Sequence, residues 1–257
     1  MKIFRWIAVS FSLYSRIPMP RFPWDEDDMK HSLSFFPLIG LLIGALICGL
    51  HMIPLVFELP LFIKTILTVL IPILITGGFH LDGFMDTEDA IRSYRDRERK
   101  LEIMKDAHVG AFAVIGLLIV TLFFLAGTGL LLYAGDDGTI IVFALIFAES
   151  RALSGICSMF FDKARKDGML ASETAEKKTS VVVFLFIWLV AVIAAAFFIA
   201  PIPAAFMQAA FVLFTVYYRI LTYRQFGGVT GDTAGYYVTV SELSAVIFVA
   251  LGVLIFR

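Results

Sequence analysis

The fold class this sequence predicts is all-α: a polytopic membrane helix bundle of about seven transmembrane helices behind an N-terminal interfacial helix, one domain over residues 1–257. Three observations predict it. Of the 257 residues, 60% are hydrophobic and 17% charged, with a mean hydropathy of +0.89; a soluble domain has roughly 45–50% apolar residues. The apolar residues gather into runs of about 20, the length that carries a helix across about 30 Å of hydrocarbon at about 1.5 Å per residue. The basic residues gather between those runs, and only on alternate connections.

The elements follow in order. MKIFRWIAVSFSLYSRIPMP is basic, then briefly apolar, with no small-residue cleavage site before Arg16 and Pro18; it predicts a retained interfacial helix and not a signal peptide. Spans are predicted at roughly 33–57, 61–81, 109–133, 139–161, 180–200, 203–222 and 236–256. Glu149 and Arg151 interrupt the fourth and Glu242 the seventh. At such depths each charge costs about 2.5–3.5 kcal/mol on insertion scales, so these side chains are expected to face the bundle interior or a wet cavity. Residues two apart on a helix diverge, which makes Glu149 and Arg151 poor partners. Arg151 is left to reach an anionic group from another helix, or to share a structural network with Glu242 or Glu149. Gly40, Gly44 and Ala45 predict a close helix contact. Cys48 and Cys157 lie in apolar runs and indicate neither a disulfide framework nor a cysteine metal site.

Basic residues set the orientation. They occur as Lys2, Arg5, Arg16, Arg21 and Lys30 at the start, and as Arg92, Arg95, Arg97, Arg99, Lys100 and Lys105 after the second span. Lys163, Arg165, Lys166, Lys177 and Lys178 follow the fourth span, and Arg219 and Arg224 mark the end of the sixth. The connections near 58–60, 134–138 and 201–203 carry none. The positive-inside rule then places the chain in the cell (inner) membrane with its N-terminus and its long polar loops cytoplasmic and its C-terminus outside. A net charge of -1 without a concentrated basic surface gives no sign of a nucleic-acid partner.

The chemistry is expected in GGFHLDGFMDTEDA, residues 77–90. Asp82, Asp86 and Asp89 fall at i, i+4 and i+7, on one face of a helix continuing out of the second span. Three like charges on one stripe repel unless a cation lies among them, and hard oxygen donors suit Mg²⁺ or Mn²⁺. A solvated acidic helix end is the equal-weight alternative. Gly77, Gly78 and Gly83 remove bulk where a phosphate could meet the backbone, and the basic run RSYRDRERKLEIMK could hold the far end of an anionic substrate or simply orient the bundle. A second element, GGVTGDTAGYY at 227–237, reads as a phosphate-cradling or metal-completing loop with Asp232 on the same membrane side as Asp82, or as a plain Gly-rich turn. His80 is either a base or substrate contact or merely interfacial.

Together with SRIPMP and FFPLIGLLIG near the start, GGFHLDGFMDTEDA, RDRERKLEIMKDAHVGAFAVIGL and GGVTGDTAG resemble, in the expected order from about residue 11 to 242, the adenosylcobinamide-GDP ribazoletransferase (cobalamin synthase) family. The resemblance implies adenosylcobinamide-GDP and α-ribazole as substrates, release of GMP, and a requirement for Mg²⁺. It implies Asp82 and Asp86 as metal ligands, Asp89 as a further ligand or the base, and Asp232 as completing the cluster. Lys105, Arg151 and Arg165, the last in KARKDGM, are the cations expected on phosphate, with Arg16 contributing from the N-terminal segment and His80, Gly231 and Thr233 on the substrate. A homo-oligomer or other cobalamin-pathway enzymes are the protein partners it raises, beside the lipid bilayer. His108 and Thr239 depart from the family's usual residues. Two alternatives stay open: a lipid CDP-alcohol phosphotransferase, against which Met85 and Asp86 stand in place of its Ala-Arg pair, and a transporter, which would use the charges inside the spans.

Overall fold

The computed structural model describes residues 2–174 and 179–256; Lys177 and Lys178, counted above among the basic residues, lie outside the described residues. The chain runs α1 (Lys2–Tyr14), α2 (Glu26–His31), a 3-10 turn (Ser32–Phe35), α3 (Phe36–His51), α4 (Pro54–Phe57), α5 (Leu61–Thr76) and α6 (Phe79–Arg92). It continues with α7 (Arg97–Ile103), α8 (Ala111–Ala134), α9 (Asp137–Phe160), α10 (Met169–Glu173), α11 (Thr179–Ile199), α12 (Pro201–Gln225) and α13 (Gly231–Phe256).

Six helical stretches among the described residues are long and apolar enough to cross a membrane, and a bent pair makes up to seven. That is the polytopic all-α bundle the composition predicts. The first span differs in its limits: its helix is continuous from Glu26 to His51, and Pro54 starts a separate short helix.

The second span is the main correction. The apolar run 61–81 predicts one helix with the aspartates on its extension, yet α5 stops at Thr76 and α6 leaves at 90°. The cause is local. Gly77 and Gly78 have φ of +67° and +83°, a left-handed pair that no helix continues through and that other residues adopt only with strain. We therefore read α5 as the membrane-crossing part and α6, with five charged residues in its 14, as lying across the end of the bundle.

α9 is the central helix. Phe143, Phe147, Ile146 and Ala148 on it are fully buried. Gly40 and Gly44 bring α3 against it: a Cβ on Gly40 would lie 2.1 Å from the Phe147 carbonyl oxygen, and one on Gly44 2.4 Å from that of Ala144. The predicted close contact is thus internal to the chain, which removes these glycines as a seam for a second copy. The two cysteines are free, as expected.

Candidate active site

α6 reaches the core of the site because two glycines face each other. A Cβ on Gly83 would meet the Asp232 backbone oxygen at 2.8 Å, and one on Gly235 would meet the His80 carbonyl at 3.0 Å. With no side chain at either position, α6 lies directly on the first turns of α13. Gly83 therefore serves helix contact, and it also borders the cleft lined by Asp82 and Asp232, where the sequence suggested room for phosphate. This crossing sets Asp82 and Asp86 beside Asp232, 150 positions on in the chain.

Asp232 itself lies in a helix and not in a loop. Thr230 and Thr233 cap the start of α13 reciprocally: the Thr230 N–H donates to Thr233 Oγ1 at 2.8 Å and the Thr233 N–H to Thr230 Oγ1 at 3.1 Å. Two N–H groups at the helix start are satisfied in this way, so the helix begins at Gly231, five residues before the predicted span. Thr233 is fully buried and also accepts from the Tyr218 hydroxyl at 3.2 Å, so it builds the helix start and does not line the cleft.

The loop after α9 is fastened to the same place. Val229 N–H donates to the Asp162 carbonyl at 2.8 Å and Ala164 N–H to the Val229 carbonyl at 3.0 Å. These two bonds present Arg165 to Asp232, and its guanidinium donates to Oδ2 at 2.6 Å. Nearby, Lys105 reaches Asp167 at 2.7 Å. A cleft of about 300 Å³ opens between these elements, lined among others by Asp82, Lys105, Lys163, Arg165, Asp167 and Asp232. Gly231 also borders it, with open space where its Cβ would be. Six of the residues singled out in the sequence, Asp82, Gly83, Lys105, Arg165, Gly231 and Asp232, therefore share one cleft. Asp167 was not among them, although it stands in the quoted KARKDGM stretch.

The acidic stripe is crowded. Burial first, then the charges of Asp82, Asp232 and Asp89, push the Asp86 carboxyl up to about 7. Arg165 offsets only part of this repulsion, and carboxylates crowded in this way mark a place where a cation would be bound favourably. The donor set is all oxygen, and among the described residues no group of three or more His, Cys, Asp or Glu is arranged to hold a metal. Two carboxylates one turn apart still fit Mg²⁺, which takes one or two from a protein and fills its shell with water and phosphate.

Asp89 is differently engaged. Its Oδ2 accepts from the Gly110 N–H at 2.6 Å and its Oδ1 from the Ala113 N–H at 2.8 Å, so it caps α8 from outside that helix.

The remaining candidates lie away from the cleft. Arg151 is 1% exposed and donates to Glu242 at 2.7 Å and to the Phe147 carbonyl at 2.7 Å, the structural network among the two readings. Glu149 accepts from Gln208 at 3.0 Å. The charges that kept a transporter in view are thus bound to partners inside the bundle. His80 is buried; burial, then the charge of Arg151, holds its pKa well below the usual 6.5. Arg16 is exposed and lies over the α5–α6 break, its side chain 2.5 Å from where a Gly77 Cβ would stand.

Comparison with known proteins follows the same lines. The family model described as cobalamin-5-phosphate synthase matches residues 6–250. The adenosylcobinamide-GDP ribazoletransferase of Lachnoclostridium phytofermentans is 38% identical over 259 residues, 98% of this chain and 95% of that protein. Proteins of the same name from Clostridium perfringens (strain ATCC 13124) and Listeria monocytogenes serotype 4a are 32% and 34% identical, covering 98% and 90% of this chain and 100% and 91% of theirs. No solved structure matches. With a family model spanning nearly the whole chain and relatives above 30% identity aligned end to end, the chain belongs to the cobalamin-5-phosphate synthase family.

Proposed function

We propose that this chain joins adenosylcobinamide-GDP to α-ribazole, or to its 5′-phosphate, at the cytoplasmic face of the membrane, releasing GMP. A ribazole hydroxyl oxygen forms the new bond to the phosphorus that carries cobinamide and gives up its proton to solvent, the bond from that phosphorus to the bridging oxygen breaks, and GMP leaves with the electron pair. The observation that carries the reading is the cleft in which Asp82, Lys105, Arg165 and Asp232 converge, in a chain whose relatives bear this activity's name.

Each residue has a part. Arg165 and Lys105 hold the pyrophosphate, the first through a planar fork matched to two phosphate oxygens and the second as a point charge. Gly231 lets the head group approach the start of α13, whose free N–H groups favour an anion. Asp82 and Asp86 would hold Mg²⁺, with Asp232 beside them paired to Arg165; the ion would supply charge neutralisation for the pyrophosphate. A cleft of about 300 Å³ takes a pyrophosphate-linked head group and leaves the corrin ring outside, against the membrane surface. The end of the bundle bearing this cleft is also the end bearing the basic connections, which supports the cytoplasmic placement.

The experiment uses the protein in liposomes with adenosylcobinamide-GDP, α-ribazole and Mg²⁺, following GMP release beside an Asp82→Asn variant and a parallel assay with CDP-diacylglycerol. Metal-dependent GMP release that the variant lacks supports the reading. CMP release from the lipid substrate, or no GMP from the wild type, overturns it.

A further inference from the structure

The cleft wall that carries Lys163, Arg165 and Asp167 is a connection between two membrane helices, and among the described residues it is fastened near each end, beside the Arg165–Asp232 and Lys105–Asp167 pairs between. One end fastening is the backbone pairing of Lys163 with Val229. The other is at its far end, where Glu173 closes α10. Glu173 is 1% exposed, and its Oε1 accepts hydrogen bonds from the Tyr14 hydroxyl and, at 2.8 Å, from Ser32 Oγ. Both donors belong to the N-terminal layer. That layer is itself braced: Trp6 stacks on His31 with ring centroids 3.9 Å apart, and Arg5 pairs with Asp28.

A carboxyl group at this depth is an expensive way to fasten a loop. Its partners here are two neutral hydroxyls, and an apolar side chain of similar size would pack without the desolvation cost. What the carboxyl adds is direction: two donors from different elements converge on one oxygen and fix where α10 sits. The place it fixes borders the cleft. Met169, Leu170 and Gly231 line both the cleft and a chamber of about 30 Å³ beneath it, and Tyr14, His80 and Glu173 line that chamber from the other side.

We infer that Glu173 is a positioning residue for the cleft: by seating α10 in the Tyr14–Ser32 socket it fixes the wall carrying Arg165 and Asp167, and so sets how tightly the anionic head of the substrate is held. The inference rests on the function proposed above for its second half only. Glu173 touches no reacting group, and its effect reaches the substrate through Arg165.

The test uses the full chain in liposomes with Glu173→Ala, Glu173→Gln and Tyr14→Phe. Two quantities are read: the rate of tryptic cleavage after Arg165 and Lys166, from fragment masses, and KM and kcat for adenosylcobinamide-GDP. Glu173→Ala is expected to speed cleavage and raise KM, each about tenfold, with kcat within about twofold, because two buried hydrogen bonds are lost. Glu173→Gln keeps an acceptor oxygen and is expected to restore both values, and Tyr14→Phe, which deletes a single donor, to fall between. Should the alanine variant not fold, the Tyr14→Phe variant decides alone: unchanged cleavage and KM overturn the inference. So do a glutamine variant as impaired as the alanine one, or a loss confined to kcat. If the wild type releases no GMP, the functional reading fails, while cleavage still decides whether Glu173 holds the wall: equal rates in wild type and Glu173→Ala overturn it.

Discussion

Arg165 donates to Asp232 at 2.6 Å, joining the loop after α9 to the first turn of α13 across 67 positions of sequence. The cation expected on phosphate and the carboxylate expected on metal thus neutralise each other at the cleft. Both side chains are only partly buried, so the pair can exchange its partners for substrate and metal without the penalty of stranding a fully buried charge.

Arg165→Ala leaves Asp232 without its counter-charge and, on the proposed function, also removes a phosphate ligand. We expect kcat/KM for GMP release to fall about a hundredfold. Arg165→Lys keeps the charge but loses the planar fork, and should recover only part of the activity. Steady-state kinetics of the three proteins decide; equal activity of the lysine and arginine forms would mean that the fork geometry is irrelevant.

Gly83→Ala tests the crossing that builds the site. Its Cβ would lie 2.8 Å from a backbone oxygen and 3.0 Å from the Cα of Asp232, both on a helix that cannot yield locally. Overpacking of this kind costs about 1–3 kcal/mol, so a lower melting temperature in detergent and a loss of activity are expected together. Gly49→Ala in α3 meets nothing within 4 Å and serves as the control, with its melting temperature unchanged or raised.

Asp89 separates from Asp82 by the same kind of measurement. Losing a cap costs about 0.5–2 kcal/mol, so Asp89→Ala should lower the melting temperature. Asp89→Asn should fall between, since only one of its two side-chain atoms can accept. Asp82 lies exposed at the cleft, and Asp82→Asn is expected to abolish GMP release with melting unchanged. If Asp89→Ala melts as the wild type does, the bonds to Gly110 and Ala113 are not holding α8.

The bundle was legible in the sequence because hydropathy counts apolar length, and six of the helices are little else. The same count misread residues 61–81, since it is blind to the sign of φ at Gly77 and Gly78. As residue types, those glycines suggest phosphate access as readily as a left-handed break. Asp82, Arg165 and Asp232 could be nominated from residue type and membrane side, whereas their pairing depends on Gly83 meeting Gly235, a contact no local pattern encodes. Glu173 is illegible in the sequence for a related reason. A glutamate near a cluster of lysines reads as solvated, and its partner Tyr14 lies 159 positions away.

Glu173 also gives the protein a pH dependence with a defined sign. Burial raises its carboxyl from the ordinary 4.5 to about 7, against the weaker opposing effect of the hydrogen bonds from Tyr14 and Ser32. Between those values the folded protein keeps a proton that the unfolded chain has released. The contribution of this group to stability is therefore complete below about pH 4.5 and lost as pH rises through about 7. Of the groups on the same chamber, burial pushes the Tyr14 hydroxyl well above its ordinary 10.0, and His80 is held well below 6.5 by burial and the charge of Arg151. The Asp86 carboxyl is also pushed up to about 7 and that of Asp232 is raised by burial, so the wild-type curve alone mixes several groups. Glu173→Gln has no proton to lose at this position and removes one of them. In metal-free buffer, the melting temperature of the wild type relative to Glu173→Gln should fall between about pH 5 and pH 8. Parallel curves would show that Glu173 does not change its protonation on unfolding in this range.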